Sequence, residues 1–267
     1  MMFLKESSPY GDPREPLFVF GLGLAYGLAG LLLALAWRNL LCHFGTIIRP
    51  TMAVWIYGVS QLAKYVPGNI AHLAGRQALG IATGLTGWIL AKSAVWELGM
   101  IAAAAVPFGL LALPLIEPTV SVAFSVGGYF ALVSLTAILA RRLIGPSVAR
   151  AFVLHTGFLA ISGLIFVALV TLVSGEHNRT GLPWLPVCGS YVIAWLCGLA
   201  TPGAPAGIGV RELVLLFLLN GLMSEADLTL TVLLARIATL AGDLLFFLIG
   251  SLIAHTVKRK GLQVQAP

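Results

Sequence analysis

Two stretches decide how this chain reads: Lys64-Tyr-Val-Pro-Gly-Asn-Ile-Ala-His-Leu-Ala-Gly-Arg76 and Thr201-Pro-Gly-Ala-Pro-Ala-Gly-Ile-Gly-Val-Arg211-Glu212. In each, a Pro-Gly step (Pro67-Gly68, Pro202-Gly203) stands nine residues ahead of an arginine and interrupts a long apolar run. Proline lacks the backbone N–H and clashes with the carbonyl four residues back, so it kinks or breaks a helix. Glycine (Gly68, Gly75, Gly203, Gly207, Gly209) permits turns and close backbone approach. Paired helix breaks in corresponding positions of a membrane chain point to a midplane binding site. Here each break is followed by a fixed positive charge.

The composition is that of an integral membrane protein. Of 267 residues, 59% are hydrophobic and 10% charged, and the mean hydropathy is +0.97. A soluble domain carries roughly a quarter charged residues. The length suffices for about six to eight crossings of about 20 residues each, with no room for a separate soluble catalytic domain. The first apolar run, 17–37, is too long for a cleaved signal. Cys42, Cys188 and Cys197 lack metal-ligand spacing and read as free packing thiols. The net charge of +6 is concentrated at Arg141, Arg142, Arg150 and Lys258-Arg259-Lys260, which reads as topology signalling rather than nucleic-acid binding. No Ser/His/Asp triad, metal-ligand cluster or cofactor motif is present, so no catalytic residue, metal or cofactor is expected.

Apolar runs divide the chain into a polar segment 1–16, a transmembrane domain 17–257 and a basic tail 258–267. Long spans are expected at about 17–37, 85–112, 119–140, 151–174 and 228–254. The interrupted elements are 51–66 with 69–82, and 185–200 with 210–222. The positive-inside rule puts Arg38/Arg49, Arg141/Arg142/Arg150 and the tail in the cytoplasm. The loops near Glu117, Glu176 and Glu225/Asp227 then face outward, with the N-terminus outside and the C-terminus inside. The charges alternate without conflict if both interrupted elements are re-entrant, although complete crossings at 51–82 and 185–222 fit the same loops. The expected fold is all-α and polytopic: about six spanning helices plus two broken hairpins. Repeat 1 (17–112) and an inverted repeat 2 (151–254) would be joined by a linking helix at 119–140. Trp37, Trp55, Trp88, Trp184 and Trp195 read as interface belts.

Charges at lipid depth follow the same order in each half. A break precedes a basic residue (Arg76, Arg211), then a long helix carries a cation and a carboxylate (Lys92 and Glu97; Arg236 and Asp243), with Glu212 beside Arg211. An unpaired charge at bilayer centre costs about 2.5–3.5 kcal/mol on insertion scales, so these groups face the bundle interior. Mutual salt bridges among Lys92, Glu97, Arg236 and Asp243 are one reading of them. Arg236 and Asp243, seven apart, share a helix face, whereas Lys92 and Glu97 diverge. For Arg76 and Arg211 the expectation is an anion clamp, because arginine's planar donor fork suits phosphate and a helix start carries partial positive charge. Lys64, Tyr65 and His72 are candidate lining residues. His72 precedes Arg76 by four and shares its face.

At these residues the chain resembles the lysylphosphatidylglycerol synthase transmembrane region family, which includes the flippase domain of the multiple-peptide-resistance factors and stand-alone relatives. The resemblance rests on Lys64-Tyr-Val-Pro-Gly with Arg76, Glu97, Pro202-Gly203 through Gly207-Ile-Gly209-Val-Arg211-Glu212, Ala235-Arg236 and Gly242-Asp243. It spans about 50–250 and implies a multi-pass plasma-membrane protein that moves charged lipids between leaflets without aminoacyl transfer. The expected ligand is an anionic lipid of phospholipid or polyprenyl-phosphate type, bound by Arg76, Arg211, Lys64, His72, Gly68 and Gly203. Lys92, Glu97, Glu212, Arg236 and Asp243 would form a charged network around it, with Glu97 or Asp243 available for coupling to protons. An ion-coupled carrier of a small anion, and a membrane scaffold or enzyme of lipid or glycolipid synthesis, are the alternatives. A homo-oligomer or a separate synthase or glycosyltransferase is the partner each would call for.

Overall fold

The computed structural model describes residues 14–66, 71–174, 182–201, 204 and 207–259. Both Pro-Gly steps, and with them the site candidates Gly68 and Gly203, lie outside the described residues, as do 1–13, the Glu176 loop and the tail beyond 259. Every described regular element is helical: α1 (Arg14–His43), α2 (Pro50–Gln61), α3 (Ala71–Ala82), α4 (Gly87–Ala105), α5 (Phe108–Ile116), α6 (Val122–Leu139), α7 (Pro146–Val173), α8 (Trp184–Ala200), α9 (Val210–Leu218) and α10 (Glu225–Arg259). A 3-10 turn at Leu62–Tyr65 extends α2, and a π turn at Ala140–Ile144 joins α6 to α7.

The protein is therefore an all-α polytopic membrane protein. Five helices are long and apolar enough to cross a membrane, within α1, α4, α6, α7 and α10; α8 is apolar but shorter at 17 residues. Three of the four pieces that make up the interrupted elements, α2, α3 and α9, are too short to cross alone. At 1.5 Å per residue, α2 and α3 rise about 18 Å each and α9 about 13 Å, against ~30 Å of hydrocarbon. In both elements the second piece packs on the first: a Cβ on Gly75 of α3 would lie 3.9 Å from Ser60, and one on Gly198 of α8 would lie 3.0 Å from Gly207. The order long, short, short, long occurs twice, as α1–α4 and α7–α10.

Local chemistry sets the boundaries. Pro50 occupies the first helical position of α2, where its missing N–H is not needed. Ser224 caps α10, accepting from the Asp227 N–H at 3.1 Å while Asp227 accepts its hydroxyl at 2.7 Å. The span expected over 85–112 is instead two helices. Pro107 cannot donate into the ladder, so the chain turns at Val106–Pro107 and restarts as α5. α5 then packs against α6 and α8.

The centre of the bundle is a seam of bare backbone. α1 lies against α10 through Gly23, Gly27 and Gly242, where a Cβ on Gly27 would stand 2.6 Å from the Gly242 carbonyl oxygen. α2 lies against α10 through Gly58 and Gly250; a Cβ on Gly58 would stand 2.8 Å from the Phe246 oxygen. Lipid tails are as apolar as leucine, so such seams form by close van der Waals contact rather than by the hydrophobic effect. Gly27→Leu or Gly242→Leu should push α1 off α10 and destabilise the protein by about 1–3 kcal/mol. Gly21→Leu, where a side chain meets nothing within 4 Å, should leave the thermal midpoint in detergent unchanged.

Candidate functional site

The seams present the inner charges. Gly242 is pressed to α1, so its neighbour Asp243 is turned toward α2 and the 3-10 turn behind it. Asp243 is 2% exposed. Its Oδ2 takes the Lys64 ammonium at 2.7 Å and the Tyr65 hydroxyl at 2.5 Å, and its Oδ1 accepts from Gln61 Nε2 at 3.3 Å. Three donors from one stretch of chain thus bind the first broken element to α10.

A second buried cluster lies between α1, α2, α3 and α4. Arg76 grips Glu97 bidentately: Nη1 donates to Oε1 at 3.0 Å and Nη2 to Oε2. The Tyr57 hydroxyl also donates to Glu97 Oε1, at 2.7 Å. The guanidinium lies 4.5 Å from the Tyr57 ring centre and 5.4 Å from that of Trp37, a cation–π cage in a desolvated setting. Trp37 is fixed in turn by its indole N–H donating to Ser93 Oγ at 3.0 Å. Trp37 is thus a core residue, not part of an interface belt, while Trp88 and Trp184 do stand exposed.

The second broken element has a different pattern. Glu212 Oε1 accepts from Arg236 Nε at 2.9 Å and Nη2 at 2.7 Å, and the same Nη2 reaches the Gly207 carbonyl at 3.2 Å. Arg211, in the first turn of α9, donates from Nη2 to the Tyr191 hydroxyl at 2.8 Å and lies 5.2 Å from that ring's centre. Two glycines make room for it. A Cβ on Gly198 would stand 2.7 Å from Arg211 Cγ, and Gly207 has φ +70°, where a side chain would be strained. Among the described residues no carboxylate lies within ion-pair distance of Arg211.

These groups surround one cavity at the meeting of both broken elements. Its walls include Tyr26 of α1, Gln61 of α2, Lys64, His72 of α3, Arg211 of α9 and Arg236 of α10. The cavity volume is about 90 Å³, room for roughly six to nine waters at ~10–15 Å³ each. One flank is apolar, with Leu73, Leu98 and Ile101, and Leu98 is also exposed on the outer face of α4. His72 faces this space with its Nδ1 buried and, among the described residues, without a hydrogen-bond partner.

Of the residues singled out in the sequence, Lys64, His72, Glu97, Arg211 and Arg236 line the cavity, and Asp243 stands behind Lys64. Arg76 is not at the cavity surface: it is 2% exposed and its fork is filled by Glu97, so only Arg211 is placed as an open donor. Lys92 is outside the network. It is exposed, 5.2 Å from the Trp88 ring centre and 5.9 Å from that of Phe44. Glu97, Arg236 and Asp243 pair with Arg76, Glu212 and Lys64 rather than with one another. Trp37, Tyr57, Tyr191 and Ser93 were not legible as site residues. The available signal was chemical: a tyrosine or tryptophan inside an apolar run needs a partner for its polar end.

No family model, curated protein or solved structure matches this chain.

Leaving one member of a buried ion pair uncompensated costs about 3–5 kcal/mol, whereas replacing both by apolar residues is often near neutral. Arg76→Met and Glu97→Met should therefore each destabilise strongly, and the double variant should recover most of the loss. Additive losses in thermal unfolding of the purified protein would contradict the pairing.

Proposed function

We propose that this protein is a lipid translocase, carrying an anionic lipid of phospholipid or polyprenyl-phosphate type between the leaflets of the plasma membrane. The observation that carries this reading is the charge count around the cavity. Lys64, Arg76 and Arg236 each hold a carboxylate, and Arg211 holds only a phenol. Among the described residues the site thus has one cation in excess, matching the single negative charge of a phosphodiester such as a phospholipid or a glycosylated polyprenyl phosphate. Arg211 offers its remaining N–H groups to the phosphate oxygens, and His72 supplies a polar edge beside them. Arg76 acts one layer back, holding Glu97 and α3 in place.

The apolar flank at Leu73, Leu98 and Ile101 allows the acyl or prenyl chains to remain in hydrocarbon while the headgroup enters. Lys64 and Arg236, already paired, can exchange a carboxylate for phosphate as the broken elements move, so no net charge is exposed to lipid during passage. In this reading the two halves are inverted repeats, both broken elements are re-entrant, the N-terminus is outside and the C-terminus cytoplasmic. The sequence resemblance to the lysylphosphatidylglycerol synthase transmembrane region points to the same class of cargo. No covalent step is involved. A second reading, a carrier of a small soluble anion, is favoured by the small volume of the cavity alone.

Proteoliposomes with a trace of fluorescent phosphatidylglycerol or polyprenyl phosphate in both leaflets test the reading. A membrane-impermeant reductant should bleach beyond the outer-leaflet fraction with wild-type protein, and Arg211→Gln should slow the inner-leaflet phase at least about tenfold, the loss of one charge-assisted contact. An unchanged rate in Arg211→Gln, or no movement of either lipid by wild type, overturns the translocase. Uptake of labelled inorganic phosphate without lipid movement would install the second reading.

A further inference from the structure

A second basic site lies away from the central cavity, where α6 ends and α7 begins. α6 stops at Leu139, and the π turn closes with the Gly145 N–H donating to the Ala140 carbonyl at 2.9 Å. Gly145 has φ +145°, and Pro146 then opens α7. Between this junction and the C-terminal turns of α1 runs an open trough. Its walls are Ala137, Ile138, Ala149, Val153 and Leu154, and its polar groups are Asn39, Arg141 and Arg150. It offers about 570 Å³ to water centres, against about 90 Å³ in the central cavity.

Both arginines are exposed, and among the described residues neither has a carboxylate partner. A topology signal accounts for positive charge in this connection, and Arg142, exposed beside Arg141, serves that end equally. It does not account for two open guanidinium groups lining one apolar trough. Asn39 adds a carboxamide, whose Nδ2 donates to the Leu35 carbonyl at 2.8 Å. The trough opens toward hydrocarbon. Only 11% of the spanning window that contains α6 is buried within the protein, and Ile138 and Val153 are exposed on the trough's walls.

We infer that this trough is a binding site for a resident anionic glycerophospholipid, distinct from the translocated cargo. Its phosphate lies between Arg141 and Arg150, and an acyl chain runs along Ile138, Val153 and Leu154. The charge complementarity selects an acidic headgroup. Two fixed cations with no local carboxylate favour a lipid of net negative charge over a zwitterionic one, whose ammonium would meet the same arginines. Basic pockets between transmembrane helices on the positively charged side of a bundle recognise acidic headgroups in this way. The site stands whether or not the central cavity carries lipid.

Native mass spectrometry of purified protein, equilibrated with equimolar dioleoyl phosphatidylglycerol and dioleoyl phosphatidylcholine, tests the assignment. The Arg211→Gln background removes the central site from the count. Phosphatidylglycerol should be retained over phosphatidylcholine by roughly thirtyfold, the effect of two near-surface arginines at about 1 kcal/mol each. Adding Arg141→Gln and Arg150→Gln should bring the ratio close to one, while adding Arg142→Gln should leave it unchanged. Three results would overturn the site: equal retention of both lipids before the additions, a preference that survives the double change, or an equal loss with Arg142→Gln. Displacement of the lipid by millimolar inorganic phosphate would overturn the lipid as its occupant. Circular dichroism and thermal midpoints of each variant establish that a lost preference is not a lost fold.

Discussion

Hydrocarbon offers no counter-charge, so an ion at lipid depth takes its opposite from the bundle or, as we propose for Arg211, from a bound anion. The inner architecture follows from that constraint. α10 carries one pole for each broken element: its carboxylate at Asp243 holds Lys64, and its cation at Arg236 holds Glu212. α4 supplies a third pole, Glu97, for Arg76. α2, α3 and α9 are too short to anchor themselves by length, and the ion pairs tie each of them to a long helix.

Those pairs require the helices to be close, and closeness is supplied by glycine. Without side chains at Gly23, Gly27 and Gly242, α1 and α10 meet backbone to backbone, and Asp243 is brought within reach of a 3-10 turn. The same device operates at Gly198 and Gly207, where the missing Cβ atoms leave the path that Arg211 follows. Removing surface from some positions thus determines which charges can meet at others.

Much of this was legible from residue order. The apolar runs gave the helices because membrane burial demands length, and the Pro-Gly steps marked where the short pieces divide. Of the residues in the order break, cation, carboxylate, Glu97, Arg211 and Arg236 line the cavity, while Arg76, Lys92 and Asp243 do not. The pairing was not legible. Arg76 chooses Glu97, 21 residues away, because α3 packs beside α4, and nothing in spacing distinguishes that choice from a pair between Glu97 and Lys92. Trp37 was misread because hydropathy reports depth and not which face of α1 meets α4. The division at Pro107 lay hidden inside a continuous apolar run, where composition alone favours one long span.

The distance along the chain between Tyr65 and the carboxylate it binds is 178 residues. At about 5–20 residues per second of synthesis, the stretch around Lys64 is complete roughly ten to forty seconds before Asp243 exists. During that interval no part of the nascent chain can offer the lysine its final partner. Until α10 is made, the Lys64 ammonium has to be solvated by something other than Asp243. α10, made later, brings the carboxylate that Lys64 and Tyr65 share.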